Sequence, residues 1–506
     1  MVVGGWARAA AAGLGLWLTV TPHAAEARWL RAETERFVVH SDGDRAELEG
    51  FARKLSSFDL TLRLRHKVQD RDVGRKLDVY LVRGPVQLQR VQPRVGYGVG
   101  GFYRATPNQI MAVAIRDDDG LGADDILFHE YTHHFMLEYF PVAYPAWLIE
   151  GYAEYFSTLQ TTPEGIEIGR YNNARAGMLR QVNWLFLGDL ITARRADLRG
   201  EQVAAFYGQS WLLTHYMLMD DGRARQLDAA VQAMAQGKPP IEAMEAATGR
   251  KIGALNDELR RYFKGKLQYR RIRNPFPADA PMTVTEMPPS ADALLLESVS
   301  LLGPMTNNDG RSLLRTVRGR ADKFPGDRLA ELALARVELR FGDSDRAEAI
   351  LNRRLAADPR EVDSLRLMGE IQLARGDRDK VRRAEFYKAA RPYLARAFAV
   401  DGSDFRTLYA YARARALEPG YPDENTLNVL LLALQLAPSV DAIRMRTGEG
   451  LLARGQKAEA IAVLTPLANS PHDESRRDRA AALIAAAQGQ GGPPGSTVAE
   501  DEDDEG

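Results

Sequence analysis

Phe128-His129-Glu130-Tyr131-Thr132-His133, followed by Ala146-Trp147-Leu148-Ile149-Glu150-Gly151-Tyr152-Ala153-Glu154, is the stretch from which the rest of the chain can be read. His129 and His133 stand four apart, so on a helix both imidazoles occupy one face a turn apart and can grip a single metal ion. Glu130 beside them is a carboxylate placed to take a proton from a metal-bound water. A third ligand leaves one coordination position open, and Glu150 is the candidate. Pro145 suits the first turn of a helix carrying Glu150. Glu154, one turn further on, can accept a hydrogen bond from a ligating imidazole. A His-Glu-x-x-His match can arise by chance, but the second segment makes chance a poor account of this one.

Residues 147–153 resemble the Trp-Leu-x-Glu-Gly-x-Ala signature that supplies the third zinc ligand in gluzincin metallopeptidases, such as the aminopeptidase N family. Sixteen residues separate His133 from Glu150, a shorter connection than in that family.

At 506 residues the chain has room for two or more domains with ample core. Its apolar fraction of 45% and charged fraction of 27% are those of an ordinary soluble protein. The net charge is −1, but residues 500–505 are all acidic and leave +5 on the remainder, which gives no sign of a nucleic-acid partner. The absence of cysteine excludes disulfides, thiolate metal sites, cysteine catalysis and an N-terminal lipid-modified cysteine.

Residues 1–27 read as a signal peptide. Arg8 precedes an apolar run from Ala9 to Val20 that is short for a membrane span, and Ala25-Glu26-Ala27 fits cleavage before Arg28. An uncleaved anchor is the alternative. The reading favoured is export to a bacterial periplasm or medium, with no stable membrane insertion after cleavage.

Further along, the pattern predicts a strand at 36–40, an amphipathic helix at 44–63 and a strand at 77–82. His40 and His66 fall outside any ligand spacing and read as strand-end or surface residues. Residues 93–106 are glycine-rich, and because a strand (109–115) follows rather than a helix, the segment reads as a flexible hairpin instead of a phosphate loop. By analogy with zincin folds, 109–115 is expected to be the edge that binds substrate backbone by strand addition. Asp117-Asp118-Asp119-Gly120 lacks the other EF-hand ligands and reads as a solvated turn. Asp124 and Asp125 suit the start of the metal helix, which should run to about Tyr139. His134 points about 100° away from His133 and is a poor ligand candidate.

Residues 203–219 include Tyr207, Trp211 and His215. Amide hydrolysis builds negative charge on the former carbonyl oxygen and needs a donor besides the metal. In the aminopeptidase N family a tyrosine opening a helix does this, and the segment around Tyr207 resembles it in pattern and distance, without the Lys-Gly pair. Core aromatics at helical spacing are the equal alternative, with His215 the fallback donor. Helices are expected at 223–235, 241–247 and 251–269. Asn274-Pro275-Phe276-Pro277 and Met287-Pro288-Pro289 then mark a connector.

From 291 the chain reads as paired helices. Arg340-Phe341-Gly342-Asp343 and Ala374-Arg375-Gly376-Asp377 recur 34 residues apart, and Ala453-Arg454-Gly455-Gln456 repeats the theme. Ala335, Gly342, Ala347, Leu351 and Pro359 fall where tetratricopeptide repeats (TPRs) place small, apolar and terminating residues. A generic helical bundle is the alternative. The second unit looks longer, with an insertion around 379–386. Such repeats stack into a groove able to hold a protein partner. The segment from Gln488 onward is Gly/Pro-rich, then acidic, and reads as disordered.

The expected architecture is an α+β zincin-like domain, a small mixed sheet with active-site helices, followed by an all-α TPR-like domain. Its parts are a signal peptide (1–27), a peptidase domain (28–272), a proline-rich linker (273–290), helical repeats (291–487) and an acidic tail (488–506). The resemblance implies one Zn²⁺ per chain on His129, His133 and Glu150. It further implies Glu130 as general base, Tyr207 as oxyanion donor and Glu154 orienting a ligand, with a peptide or protein as substrate. The Gly-x-Met-x-Asn segment that anchors a substrate amino terminus in the aminopeptidase N family is absent, which favours cleavage within a chain. Two alternatives stand beside this: an inactive exported TPR adaptor, and hydrolysis of a non-peptide amide or ester.

Overall fold

The computed structural model describes residues 29–68, 75–96, 99–116, 123–140, 144–277, 279–469 and 474–489. The segment read as a signal peptide, the Asp117–Gly120 stretch read as a turn, Ser470-Pro471 and nearly all of the acidic tail lie outside them. No helix among the described residues is long and apolar enough to cross a membrane.

The chain opens with β1 (Leu30–Glu33), β2 (Phe37–Ser41), α1 (Arg45–Arg65), β3 (Leu77–Val82), α2 (Pro85–Val91), β4 (Gly101–Thr106) and β5 (Gln109–Ile115). Then come α3 (Ala123–Tyr139), α4 (Ala146–Phe156), β6 (Gln160–Thr162), β7 (Gly165–Ile168), α5 (Asn173–Leu179) and α6 (Leu187–Thr192). After these follow α7 (Glu201–Leu218), α8 (Asp221–Ala235), α9 (Pro240–Thr248), α10 (Ile252–Lys264), β8 (Arg270–Ile272) and β9 (Thr283–Glu286). Strands β4-β5-β3-β2-β1-β9 form a six-stranded mixed sheet in that order, and β6-β7-β8 a small antiparallel one. β2, β3 and β5 run parallel at the centre, and α1 makes the crossover from β2 to β3.

Both faces of the large sheet are covered, and the two-residue period of a strand shows how. Leu77, Val79 and Leu81 point one way, against Leu48, Leu55 and Phe58 of α1 and Phe128 and Phe135 of α3. Tyr80 and Val82 point the other way, with Met111 and Val113, against Leu295, Leu296 and Val299 of the helix that follows β9. A strand buried on both faces reads as a continuous apolar run, and β5 (Gln-Ile-Met-Ala-Val-Ala-Ile) does.

Three expectations are corrected here. The strand 109–115 is not an edge, because β5 pairs with β3 on one side and β4 on the other, so its backbone groups are already used and cannot receive a substrate. The edge belongs to β4, six residues of the segment read as a flexible glycine-rich hairpin, and its register with β5 runs from Gly101–Ala114 to Thr106–Gln109. The stretch expected as a linker carries β9, which pairs antiparallel with β1. The helix expected at 251–269 stops at Lys264, and β8 follows.

The remaining helices are α11 (Ser290–Ser300), α12 (Asn307–Ala321), α13 (Arg328–Phe341), α14 (Ser344–Ala357), α15 (Val362–Arg378) and α16 (Arg383–Val400). After them come α17 (Phe405–Ala414), α18 (Glu424–Leu436), α19 (Asp441–Ala453), α20 (Lys457–Ala468) and α21 (Glu474–Ala487). Each packs on the next, and α11, α13, α15 and α17 also pack in a row, the arrangement of stacked helix pairs. Aspartates cap several of them: Asp327, Asp343 and Asp423 each accept from a backbone N–H of the first turn. The extra length of the second unit lies in the helices themselves, α15 and α16 having 17 and 18 residues against 14 in α13 and α14.

The inner row does not stand free of the sheet. Phe405, Leu408, Val440 and Ile443 belong to the same apolar core as α1, α3 and the sheet, and α19 touches the edge strand β4. Arg104 on β4 donates to the Val299 carbonyl at 3.1 Å, and Thr106 to that of Leu302 at 3.4 Å. Along this row lies a buried charge cluster. Asp363 stands 3.5 Å from Arg336, 3.2 Å from Arg366 and 3.5 Å from Arg406. Asp404 stands 2.6 Å from Arg406 and 3.9 Å from Arg75, which precedes β3. Arg366 and Asp404 are 1% and 0% exposed at the side chain. Where these helices meet the sheet, their inner face is covered by the chain itself.

Burial by itself would raise the Asp404 carboxyl, but Arg406 and Arg366 hold it below the usual aspartate range. The stabilisation is therefore present above about pH 4 and is lost as the pH falls toward the depressed folded value. Replacing Asp404 with Ala leaves two buried guanidiniums undercompensated, and urea denaturation is expected to show a loss of about 3–5 kcal/mol at neutral pH. The gap between variant and wild type should narrow below about pH 4.

Candidate metal centre

The triad comes from two helices, α3 and α4, that pack on each other, and α4 packs in turn on α7. On α3, Phe128, Thr132 and Phe135 are buried toward the core, and His129 and His133 lie about 100° further around the helix, on a half-buried side. Asp124 and Asp125 occupy the first turn of α3, as expected. Pro145 caps α4 from just outside the helix rather than within its first turn. On α4, Trp147, Leu148, Tyr155 and Phe156 are buried, and Glu150 and Glu154 are 1% and 4% exposed. Gly151 permits the close approach of α4 to α7, since a Cβ there would stand 2.5 Å from the Ser210 carbonyl oxygen and closer still to the Thr214 hydroxyl.

His129 Nε2 lies 3.1 Å from His133 Nε2, and each is 3.6 Å from Glu150 Oε2. Zinc–nitrogen bonds of about 2.0–2.1 Å place tetrahedral donors about 3.3 Å apart, so the three atoms outline one face of a zinc-sized tetrahedron. Two imidazole nitrogens and one carboxylate oxygen are also a donor set that zinc accepts, and the residues fit the ion. Among the described residues this is the group of histidine and acidic side chains close enough to hold a metal.

The electrostatics agree with the geometry. Burial would lower the His129 imidazole, yet the neighbouring carboxylates of Glu150, Glu154 and Glu130 push it up to about 9. Burial would raise Glu150, yet His133 and His129 hold it well below the usual carboxylate range. Both shifts have one cause: the imidazoles and the carboxylates stabilise one another's charged forms.

Around the triad, Glu154 Oε1 is 3.4 Å from His129 Nδ1, leaving Nε2 to face the centre. Glu154 is held in turn by Arg175 and by Asn172 Nδ2 at 3.2 Å. Arg175 and Asn172 escape a sequence reading because no fixed spacing links them to the motif; only the turn that Asn172 caps, at the start of α5, brings them in. Tyr207, half-buried on α7, is near enough for Glu150 to act on it. Burial and then that charge raise its hydroxyl above the ordinary value, against the pull of Arg195 and Arg175. Both guanidiniums lie over its ring, at 5.0 Å for Arg175 and 5.8 Å for Arg195. Arg195, in a short 3₁₀ turn (Arg195–Asp197), is a third residue that the spacing did not reveal.

The other histidines among the described residues are accounted for. Both ring nitrogens of His215 are engaged, with the Tyr262 hydroxyl at 2.8 Å and the Gly169 carbonyl at 2.9 Å, which removes it as an alternative to Tyr207. His134 meets the Tyr103 hydroxyl at 2.9 Å. His40 sits within β2, stacked on Tyr80 and 3.2 Å from Asp78, and His66 lies among Phe135, Phe140, Tyr152 and Phe156. Burial, with a smaller contribution from Arg65, lowers His66 to about 4.

No protein-family model matches the chain, and no curated protein matches it. Among solved structures, its helical region is similar to the crystal structure of a thermophilic TPR protein from Thermus thermophilus. The match has 22% identity over 38% of this chain and 98% of that one, with a TM-score of 0.33.

Gly151→Ala tests the packing that carries Glu150. Forcing a methyl group into the Ser210 backbone is expected to cost about 1–3 kcal/mol in urea denaturation and to weaken metal binding. Adding Thr214→Ala relieves the hydroxyl clash and leaves the backbone one, so the double variant should stay destabilised. Full recovery would contradict the packing described.

Proposed function

We propose that the chain is a zinc-dependent hydrolase acting on peptide bonds within a protein or peptide, exported from the cell that makes it. The observation that supports this best is the 3.1–3.6 Å triangle of His129, His133 and Glu150 donor atoms, with a further carboxylate, Glu130, next to the first ligand. Bound there, zinc supplies Lewis-acid polarisation of a carbonyl and acidifies a water molecule.

The residues of the chain do the rest. Glu130 lies outside the ligand set and half-exposed, its charge felt at His129. It takes the proton of the attacking water and returns it to the departing nitrogen. Tyr207, kept protonated by burial and by Glu150, donates to the oxygen on which negative charge develops. Arg175 holds Glu154, and Glu154 holds His129, so the ligand geometry is set before substrate arrives.

Elemental analysis of residues 28–506 is expected to find one zinc per chain, lost or much weakened in His129→Ala and Glu150→Ala. Glu130→Gln should keep the zinc while hydrolysis of casein falls by about 10²–10⁴-fold. Ester turnover without peptide turnover would move the site to a different substrate class. Products trimmed singly from the amino terminus would replace internal cleavage with aminopeptidase action. No zinc after reconstitution would overturn the whole reading.

A further inference from the structure

One of the two guanidiniums beside the centre has no part in the roles described above. Beside the three donor atoms stand the carboxylates of Glu130, Glu150 and Glu154 and the guanidiniums of Arg175 and Arg195. Three carboxylates against two guanidiniums leave one net negative charge, which a divalent cation turns into one net positive charge.

The two arginines differ in what they face. Arg175 is committed to Glu154 and closes over one part of the Tyr207 ring. Arg195 also lies over that ring, its charge felt at the hydroxyl, but makes no ion pair among the described residues. It is half-buried, in a short turn that follows α6 and precedes α7. A guanidinium in that position keeps planar donors available for a carboxylate that arrives with a ligand. It stands beside the group assigned to the oxyanion, so that carboxylate would lie next to the bond being cut.

We infer that Arg195 is a specificity-determining residue which binds a substrate carboxylate adjacent to the scissile bond. The site therefore favours peptides with an acidic side chain at that position; a preference for the substrate's own carboxyl terminus there would instead mean removal of the last residue. This rests on the zinc-hydrolase reading above. Tyr207 has a double part in it, donating to the oxyanion and bracing the guanidinium that orients the substrate. The Glu154–Arg175 pair keeps the other cation occupied, so that Arg195 is the one left to the substrate.

Binding, rather than turnover, tests this in a way that separates it from the reading it rests on. Three short peptides with an N-terminal hydroxamate, a zinc chelator, would be titrated by calorimetry into the zinc-loaded full chain carrying Glu130→Gln. The first has glutamate beside the hydroxamate, the second glutamine, both with amidated ends; the third has glutamine with a free carboxyl terminus. One of the two carboxylate probes should bind about tenfold more tightly than the neutral probe, and which one does so identifies the source of the carboxylate. Arg195→Gln should erase that difference without changing the affinity of the neutral probe, and Arg195→Lys should retain part of it. Equal binding of all three overturns the role of Arg195 and leaves the zinc centre standing, as does a preference that survives Arg195→Gln. Failure of every probe to bind counts against the zinc centre and removes this inference with it.

Discussion

The candidate centre is held in place by the close approach of α4 to α7 at Gly151. Helices this close need a residue without a side chain at the crossing, since the nearest neighbour is a backbone carbonyl that cannot move aside. Trp147 on one helix and Trp211 on the other, both fully buried, fill the space on either side. With α4 pinned there, Glu150 and Glu154 project toward α3 from a rigid support. A loop-borne carboxylate would have to be ordered by the metal itself; one fixed by helix packing is already in place.

A second layer follows from that support. Glu154 faces His129, Arg175 holds Glu154, and Arg175 lies over Tyr207. Three helices, α3, α5 and α7, thereby join α4 around one point through charged or aromatic side chains. A buried charge is costly unless paired, and each member of this chain of contacts supplies the partner of the next. The helical array follows the same rule on a larger scale. Arg336, Arg366 and Arg406 lie on successive inner helices and share Asp363, while Asp404 reaches Arg75 at the start of β3. The array and the sheet are in this way two sides of one interior, and the edge strand β4 lies between them.

Much of this was legible in the order of residues. The His-Glu-x-x-His spacing needs only a helix to become geometry, and α3 is that helix. Strands 77–82 and 109–115 and the helix at 146–156 were marked by apolar patterning and by proline. The paired helices were marked by small residues at a 34-residue period, although the two glycines that define the period are not equivalent: Gly342 ends α13, whereas Gly376 lies inside α15, packed against Tyr387. β1 and β9 were missed because each has four residues and takes its form from its neighbour. β4 was read as part of a flexible hairpin because its glycine-rich approach masked the short alternation that follows.

Ligand chemistry and helical spacing are local properties, so the order of residues was enough to say which atoms could bind a metal. It was also enough to name Glu130 and Glu154, by their distance along the chain from the ligands. Three other facts had to wait for the folded chain: that Glu150 reaches the imidazoles, that both ring nitrogens of His215 are already engaged, and that Arg175 and Arg195 lie over the Tyr207 ring. These residues meet across gaps that no periodicity spans. Their positions are fixed by which helix packs on which, and packing is a property of the whole interior rather than of any one segment.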